Sequence, residues 1–324
     1  MLFDISVIIC AYSEARWQLL LAAVDSVRCQ TVQPREIILV IDHNPALVTR
    51  ARLTLPDVVV SENSGQQGLS GARNTGIALA RGSVLAFLDD DACAEPDWLE
   101  HLLSGYADPR VVGVGGAIEP VWAAGRPAWF PPEFDWVVGC TYRGLPETPS
   151  SVRNLIGANM SMRANLFDGL GGFQDGIGRV RKLPAGCEET ELCIRASQRW
   201  PGSVFLYDPS VKITHHVSAE RSTWIYFCTR CFAEGRSKAL VVGLVGASDG
   251  LASERSYLRR TLPLAVVSGI QDVFSRGDWS GMGRAAAIVV GVMITGSGFL
   301  MGSWPRRWSG PTVSAGAGEA VIKL

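Results

Sequence analysis

Three consecutive carboxylates, Asp89-Asp90-Asp91, follow the apolar run Val84-Leu85-Ala86-Phe87-Leu88. Strand side chains alternate, so Asp89 and Asp91 point one way and Asp90 the other. Two like charges on one side of a strand end repel unless a cation lies between them. Oxygen ligands of this kind select Mg²⁺ or Mn²⁺, which bridge carboxylates and a substrate diphosphate. The same spacing fits a solvated loop or a helix-capping cluster before Pro96. Asp42 ends a second apolar run in VIDHN. It can accept hydrogen bonds from a nucleobase or ribose, or serve turn chemistry with Asn44-Pro45. The glycine-bearing stretch 63–74 (NSGQQGLSGARN) would let backbone approach a phosphate, with Arg73 near a helix start to pair with it. It is neither a P-loop nor a dinucleotide fingerprint, and a plain capped loop fits it too. Glu188, Glu189 and Glu191 fall in the first turn of a predicted helix, where they supply a general base or merely complement the helix dipole. His215 and His216 close the set as metal ligands or as structural residues at a strand end.

The elements that must position these groups are legible as hydrophobic runs. Residues 5–10, 37–41, 58–60, 83–88 and 111–118 read as strands, and helical periodicity lies between them, as at Leu19, Leu20, Ala23, Val24 and Val27. Strands alternating with helices predict βαβ units and a mostly parallel sheet, which binds ligands at the carboxyl ends of its strands. Asp42, Asp89 and Asp91 stand at those ends. Residues 120–150 are rich in Pro, Trp and Gly and read as a long surface loop that shapes a pocket. Residues 187–199 and 220–242 read as helices.

Composition narrows the class. Of 324 residues, 47% are hydrophobic and 19% charged, which excludes a disordered chain and leaves the charge below the usual ~25%. Residues 1–222 hold 19 Lys+Arg against 25 Asp+Glu, and residues 223–324 hold 11 against 6. An acidic body with a basic, apolar tail points to a membrane surface and not to nucleic acid. Within the tail, residues 285–302 carry no charge, followed by Trp304, Arg306, Arg307 and Trp308. That length is at the lower limit for a span, and a re-entrant or interfacial segment, a hairpin arrangement with residues 239–270, or a soluble core helix fits as well. Met1-Leu2-Phe3-Asp4 shows no basic signal-peptide start, so the body is expected in the cytosol. The eight cysteines have no framework spacing and read as reduced thiols; Cys228 and Cys231 form a lone CxxC, expected to be packing on one helix face.

The ordered set SVIICAYSEA, VIDHN, NSGQQGLSGARNTGI, VLAFLDDDA, GANMSMRANLFDGLGGF and CEETELCIRA over residues 6–196 resembles glycosyltransferase family 2. The resemblance implies a GT-A fold, a Rossmann-like sheet flanked by helices, in residues 1–222. It implies a helical, membrane-associated tail in residues 223–324. The expected activity is inverting transfer from a nucleotide-diphosphate sugar, a UDP-sugar, to an acceptor hydroxyl on a lipid-linked glycan. The expected place is the cytoplasmic side of the cell membrane. Within the family the likeness is to enzymes that add glucuronic acid or a hexose to a lipid-linked sugar.

It also implies roles. Tyr12 and Glu14 begin the nucleotide pocket, and Asp42 binds the base. Arg73 lies near the diphosphate. Asp89, with Asp90 in the same DxD segment, faces the ribose or metal, and Asp91 binds Mg²⁺ or Mn²⁺, with His216 as a further metal or phosphate contact. Glu189 stands where the family usually has the Asp of Glu-Asp, the catalytic base. That departure leaves Glu188 or Glu189 to take the proton. Two alternatives remain at this level: a sugar nucleotidyltransferase, whose glycine-rich basic signature residues 8–17 lack, and a non-catalytic membrane-binding module.

Overall fold

Aliphatic and β-branched runs with little polar interruption form strands covered on both faces, and residues 5–11, 37–41 and 84–88 do so here, while Val59 on the edge strand is exposed. The computed structural model describes residues 4–178 and 186–304. Strands β1 (Ile5–Ala11), β2 (Glu36–Ile41), β3 (Val59–Glu62) and β4 (Val84–Asp89) lie parallel in the order β3-β2-β1-β4. Helices α1 (Trp17–Arg28), α2 (Pro45–Thr54) and α3 (Leu69–Leu79) connect them. Pro45 starts α2, and the Asn44 side chain accepts the Leu47 N–H at 3.1 Å, so this helix start is fixed locally. Alternation sends Val7 and Ile9 of β1 into one core layer and Ile8 into the other.

The second half reverses direction. It comprises β5 (Ala92–Ala94), α4 (Trp98–Ser104), β6 (Val111–Trp122), β7 (Ser150–Val152), β8 (Asn159–Arg163), α5 (Ala164–Leu170), α6 (Glu188–Arg199) and β9 (Val204–Val217). β8 lies between β4 and β6 and is antiparallel to both. β9 pairs parallel with β6 and antiparallel with β5 and β7. The sheet is therefore parallel through β4 and mixed beyond it. Asn159 pins the reversal: its Nδ2 donates to the carbonyls of Ala117 and Val211, and its Oδ1 accepts from Trp98 Nε1 at 2.8 Å. The register breaks between Gly116 and Ile118, where a Cβ on Gly116 would lie 2.1 Å from the Val211 carbonyl oxygen.

The tail is α7 (Trp224–Val245), α8 (Ala247–Gly250), α9 (Ala252–Ser256), α10 (Leu262–Arg276) and α11 (Ser280–Ser303). Phe227, Cys231, Ala287 and Ile288 belong to the same apolar core as Val7 and Trp98. Residues 120–150, expected as a surface loop, are largely buried at Phe130, Phe134, Val137, Val138 and Cys140. Their partners come from α7: the Trp129, Phe130 and Phe134 rings lie 5.4–5.6 Å from that of Phe227.

Gly298 and Gly302 of the uncharged tail stretch mark the crossing with α7. A Cβ on Gly298 would sit 2.2 Å from the Phe232 carbonyl oxygen, and one on Gly235 would sit 2.0 Å from that of Thr295. Such close backbone approach is how helices pack when small residues face each other. Among the described residues α11 alone is long and apolar enough to cross a membrane, with mean hydropathy 1.9 and 28% of its apolar window buried. Its outer residues Val289, Met293, Leu300 and Met301 are exposed, as are Leu264 and Phe274 of α10. Arg306, Arg307 and Trp308 lie outside the described residues.

Candidate active site

β4 ends at Asp89, and the chain turns through Asp90 and Asp91 into β5, whose Ala92 pairs with His215 of β9. This hairpin-like return brings Asp89, Asp91 and His215 together, with one ligand atom of each within 4.8 Å of the others. His215 Nε2 lies 3.1 Å from Asp91 Oδ1. The histidine of the cluster is therefore His215 and not His216. Odd-numbered residues of β9 face the interior, so His215 is buried, while His216 gives only its backbone N–H to the Asp91 carbonyl at 2.8 Å.

Asp91 is the electrostatic centre. Arg16 Nη1 lies 3.1 Å from its Oδ2, and Arg221 Nη2 lies 3.3 Å away. Burial alone would raise the Asp91 carboxyl, but His215, Arg221 and Arg16 together hold it well below the usual carboxylate range. Asp90 does not point wholly away, because Arg16 Nη1 also donates to its Oδ1 at 2.9 Å. Burial and the Asp91 charge push Asp90 up to about 7, and its Oδ2 is buried without a partner. Asp89, Asp91 and His215 bring two carboxylates and an imidazole within ligand reach of one another, a donor set that fits a divalent ion. Two carboxylates suit Mg²⁺ or Mn²⁺, and the imidazole favours the softer Mn²⁺.

The nucleotide-side residues divide. Asp42 accepts from Asn63 Nδ2 at 2.7 Å and from the Gly68 N–H at 3.0 Å, so the glycine loop is folded onto it. Asp42, Tyr12, Arg16, Asp89 and Asp90 share a cavity of about 60 Å³. Glu14 lines neither this cavity nor the larger one described next; it is exposed on the short 3₁₀ turn Glu14–Arg16, and Arg16 reaches inward in its place.

A second cavity of about 740 Å³ meets the first at Leu69 and Asp89. Arg73, Glu188, Glu189, His215 and Arg221 line it. Arg73 is buried and committed: it donates to Glu188 Oε1 at 2.8 Å and to the Gly157 carbonyl at 3.0 Å, and lies 3.6 Å from Asp89 Oδ1. It thus joins the end of β4 to the start of α6 and holds Glu188 in place. Glu189 is half-buried, with Thr190 Oγ1 at 3.2 Å from its Oε1. Burial and the charge of Glu188 raise its carboxyl to about 8 against the pull of Arg73. A carboxyl perturbed in this way, beside a cavity, has the properties of a general base.

Residues 6–171 match the sequence model of Glycosyl transferase family 2. The chain belongs to this family. It is 33% identical over 303 residues to a glucosyl-dolichyl phosphate glucuronosyltransferase of Haloferax volcanii, covering 92% of this chain and 96% of that one. In fold it is similar to a mannosyltransferase from Pyrobaculum calidifontis solved with GDP-Man and Mn²⁺ (TM-score 0.54, 17% identity, 90% of this chain and 87% of that one). It is also similar to a GalNAc transferase solved with UDP, GalNAc and Mn²⁺ (TM-score 0.51, 21% identity, 71% and 47%). The fold is the expected GT-A arrangement, and the enzyme is a glycosyltransferase. The nucleotidyltransferase and membrane-binding-module alternatives are set aside.

Proposed function

We propose that this family 2 enzyme transfers glucuronic acid or a hexose, with inversion, from a UDP-sugar to a hydroxyl of a lipid-linked sugar. It does so seated on the cytoplasmic face of the cell membrane. One observation carries the reading: the cavity that holds Asp89, Glu189 and His215 is continuous with a wall built from the tail helices, including Leu258, Leu262, Val292 and Phe299. Apolar side chains on the outer faces of α7, α10 and α11 (Leu240, Leu244, Leu264, Phe274, Met293) are exposed beside the exposed Arg236 and Arg276. Such a face suits an anionic lipid surface. The likeness over nearly the whole length to an enzyme named for a dolichyl phosphate substrate supports the same reading.

In this reading the small cavity takes the nucleotide, with Asp42 and Tyr12 toward the base and ribose. Asp89, Asp91 and His215 hold Mg²⁺ or Mn²⁺. When bound, that ion supplies charge neutralisation for the leaving diphosphate. Glu189 accepts the proton of the acceptor hydroxyl, which attacks the anomeric carbon from the large-cavity side. Glu188 is the positioning residue: its ion pair with Arg73 occupies it and charges the base site.

The test uses the full chain in detergent with Mn²⁺, a panel of UDP-, GDP- and dTDP-sugars, and a glucosyl phosphoryl prenol acceptor. We expect transfer from one UDP-sugar, with the anomeric configuration inverted by NMR. Transfer from no donor overturns the reading, and retained configuration overturns the single displacement.

A further inference from the structure

The large cavity contains a second charged cluster that the chemistry above does not use. Helix α7 presents Arg230, Glu234 and Lys238 at spacings of four, on one face. Arg230 Nη1 lies 2.9 Å from Glu234 Oε2, and Lys238 Nζ lies 3.3 Å from Glu234 Oε1. Lys238 Nζ also meets Glu254 Oε1 at 2.5 Å, and Arg153 Nη1 meets Glu254 Oε2 at 2.7 Å. All five residues line the cavity. The side chains are largely withdrawn from solvent, at 11–21% exposed.

The charges do not cancel. Three cations face two carboxylates, and the ion pairs hold both carboxylates ionised, down at about 2. Arg73 and Arg221 of the same cavity are matched by Glu188 and Asp91, and its other two carboxylates, Asp89 and Glu189, belong to the metal and base groups, so the excess is local to this cluster. Burying a net charge is unfavourable unless a counter-charge arrives. A purely structural ion pair would balance itself. One positive charge left over in a cavity wall calls for a singly charged anion.

The location identifies which anion. A Cβ on Gly186 would lie 3.0 Å from Arg230 Nη2, so this guanidinium abuts the backbone two residues before Glu188. Cys187, the residue between them, gives its thiol to Glu234 Oε1 at 3.3 Å. The cluster is thus tethered to the start of the helix that carries Glu189. The apolar wall of the same cavity offers a path for a hydrocarbon chain. A sugar bound at Glu189, an anion at the cluster and a prenyl chain on the apolar wall together describe a sugar–phosphate–prenol.

We infer that Arg153, Arg230 and Lys238 form the binding site for the phosphodiester that links the acceptor's sugar to its lipid. They thereby select a lipid phosphate over a neutral glycolipid. The inference rests on the lipid-linked acceptor proposed above. A phosphodiester carries one negative charge and matches the excess; a diphosphate linkage would carry two. Charge-assisted hydrogen bonds from guanidinium and ammonium groups supply the recognition.

The test compares glucosyl phosphoryl farnesol with an analogue in which an uncharged ether replaces the phosphate. Both are titrated against the full chain in detergent by tryptophan fluorescence and then assayed for transfer. Wild type should bind the phosphodiester at least ~10-fold more tightly, the scale of one or two charge-assisted hydrogen bonds. Lys238→Gln and Arg230→Gln should each erase most of that preference. Lys238→Arg should restore it. Equal binding of the two compounds by wild type overturns the inference while transfer to both leaves the proposed function standing. Transfer to neither overturns the proposed function and this inference with it. A variant that raises donor and acceptor KM alike also counts against it, as a structural role would. The ligand comparison needs no variant, so it decides even where Arg230→Gln leaves Glu234 unpaired and fails to fold.

Discussion

The most direct probe of the base assignment is the pH dependence of transfer. In the free enzyme the Glu189 carboxyl titrates near 8, because burial and the Glu188 charge outweigh Arg73. A general base works only when ionised. The ionised fraction is then ~1% at pH 6, ~10% at pH 7 and ~50% at pH 8, and kcat/KM follows the free-enzyme titration. We expect kcat/KM to rise nearly tenfold per pH unit between 6 and 7 and to level off above pH 8. Folding stability moves the other way. The folded state keeps a proton on Glu189 that the unfolded chain has lost above about 4.5, so stability falls as pH rises from there to about 8. Glu189→Gln should remove both trends and lower kcat by ~10²–10⁴-fold, while donor affinity is retained. The assay is initial-rate transfer across buffers of constant ionic strength, with melting temperature measured in the same buffers. A flat kcat/KM from pH 6 to 8, or an unchanged slope in Glu189→Gln, would refute the assignment.

Three further outcomes are expected. His215→Ala should weaken Mn²⁺ binding by ~10–100-fold in calorimetry while His216→Ala leaves it alone, because only the His215 ring reaches Asp91. EDTA should abolish transfer and added Mn²⁺ restore it; full activity in EDTA refutes the metal site. Gly298→Leu places a side chain where the Phe232 carbonyl lies 2.2 Å from the first added carbon, so α7 and α11 must separate. The expected loss is ~1–3 kcal/mol, seen as a melting point lower by several degrees, and an unshifted melt would show that the crossing carries no load.

The first 89 residues were legible because their apolar runs are bounded by polar residues and, at residues 5–11, 37–41 and 84–88, buried on both sides; even the placement of Asp42 and Asp89 at strand ends follows from that. The pairing of Asp89 with Asp91 also came out as expected, though through a turn at Asp90 and Asp91 rather than through strand alternation. Alternation could not choose between His215 and His216, because that depends on the register of β9 against β5, which no local spacing encodes. Arg16, Arg221 and Arg153 were missed for a related reason: each acts across 74 to 130 residues of sequence, and an isolated arginine carries no periodic signal. The Pro- and Trp-rich stretch 120–150 reads as a surface loop by composition, yet its aromatic rings find Phe227 far along the chain. Gly298 and Gly302 lower the hydropathy of α11 in sequence and turn out to be contact points in space.

The helices α7 and α11 meet at Gly235 and Gly298, and the same pair contributes Lys238, Val292 and Phe299 to the cavity wall. Cutting the chain at residue 222 would therefore not release a smaller working enzyme. It would strip the covering from Phe130 and Phe134 and open one side of the reaction chamber to bulk water. On the proposed membrane seating, whatever detaches these helices from the bilayer also loosens the chamber. On that seating, the meaningful substrate concentration is molecules per unit of membrane area, and turnover should track the dilution of acceptor by inert lipid at constant bulk composition.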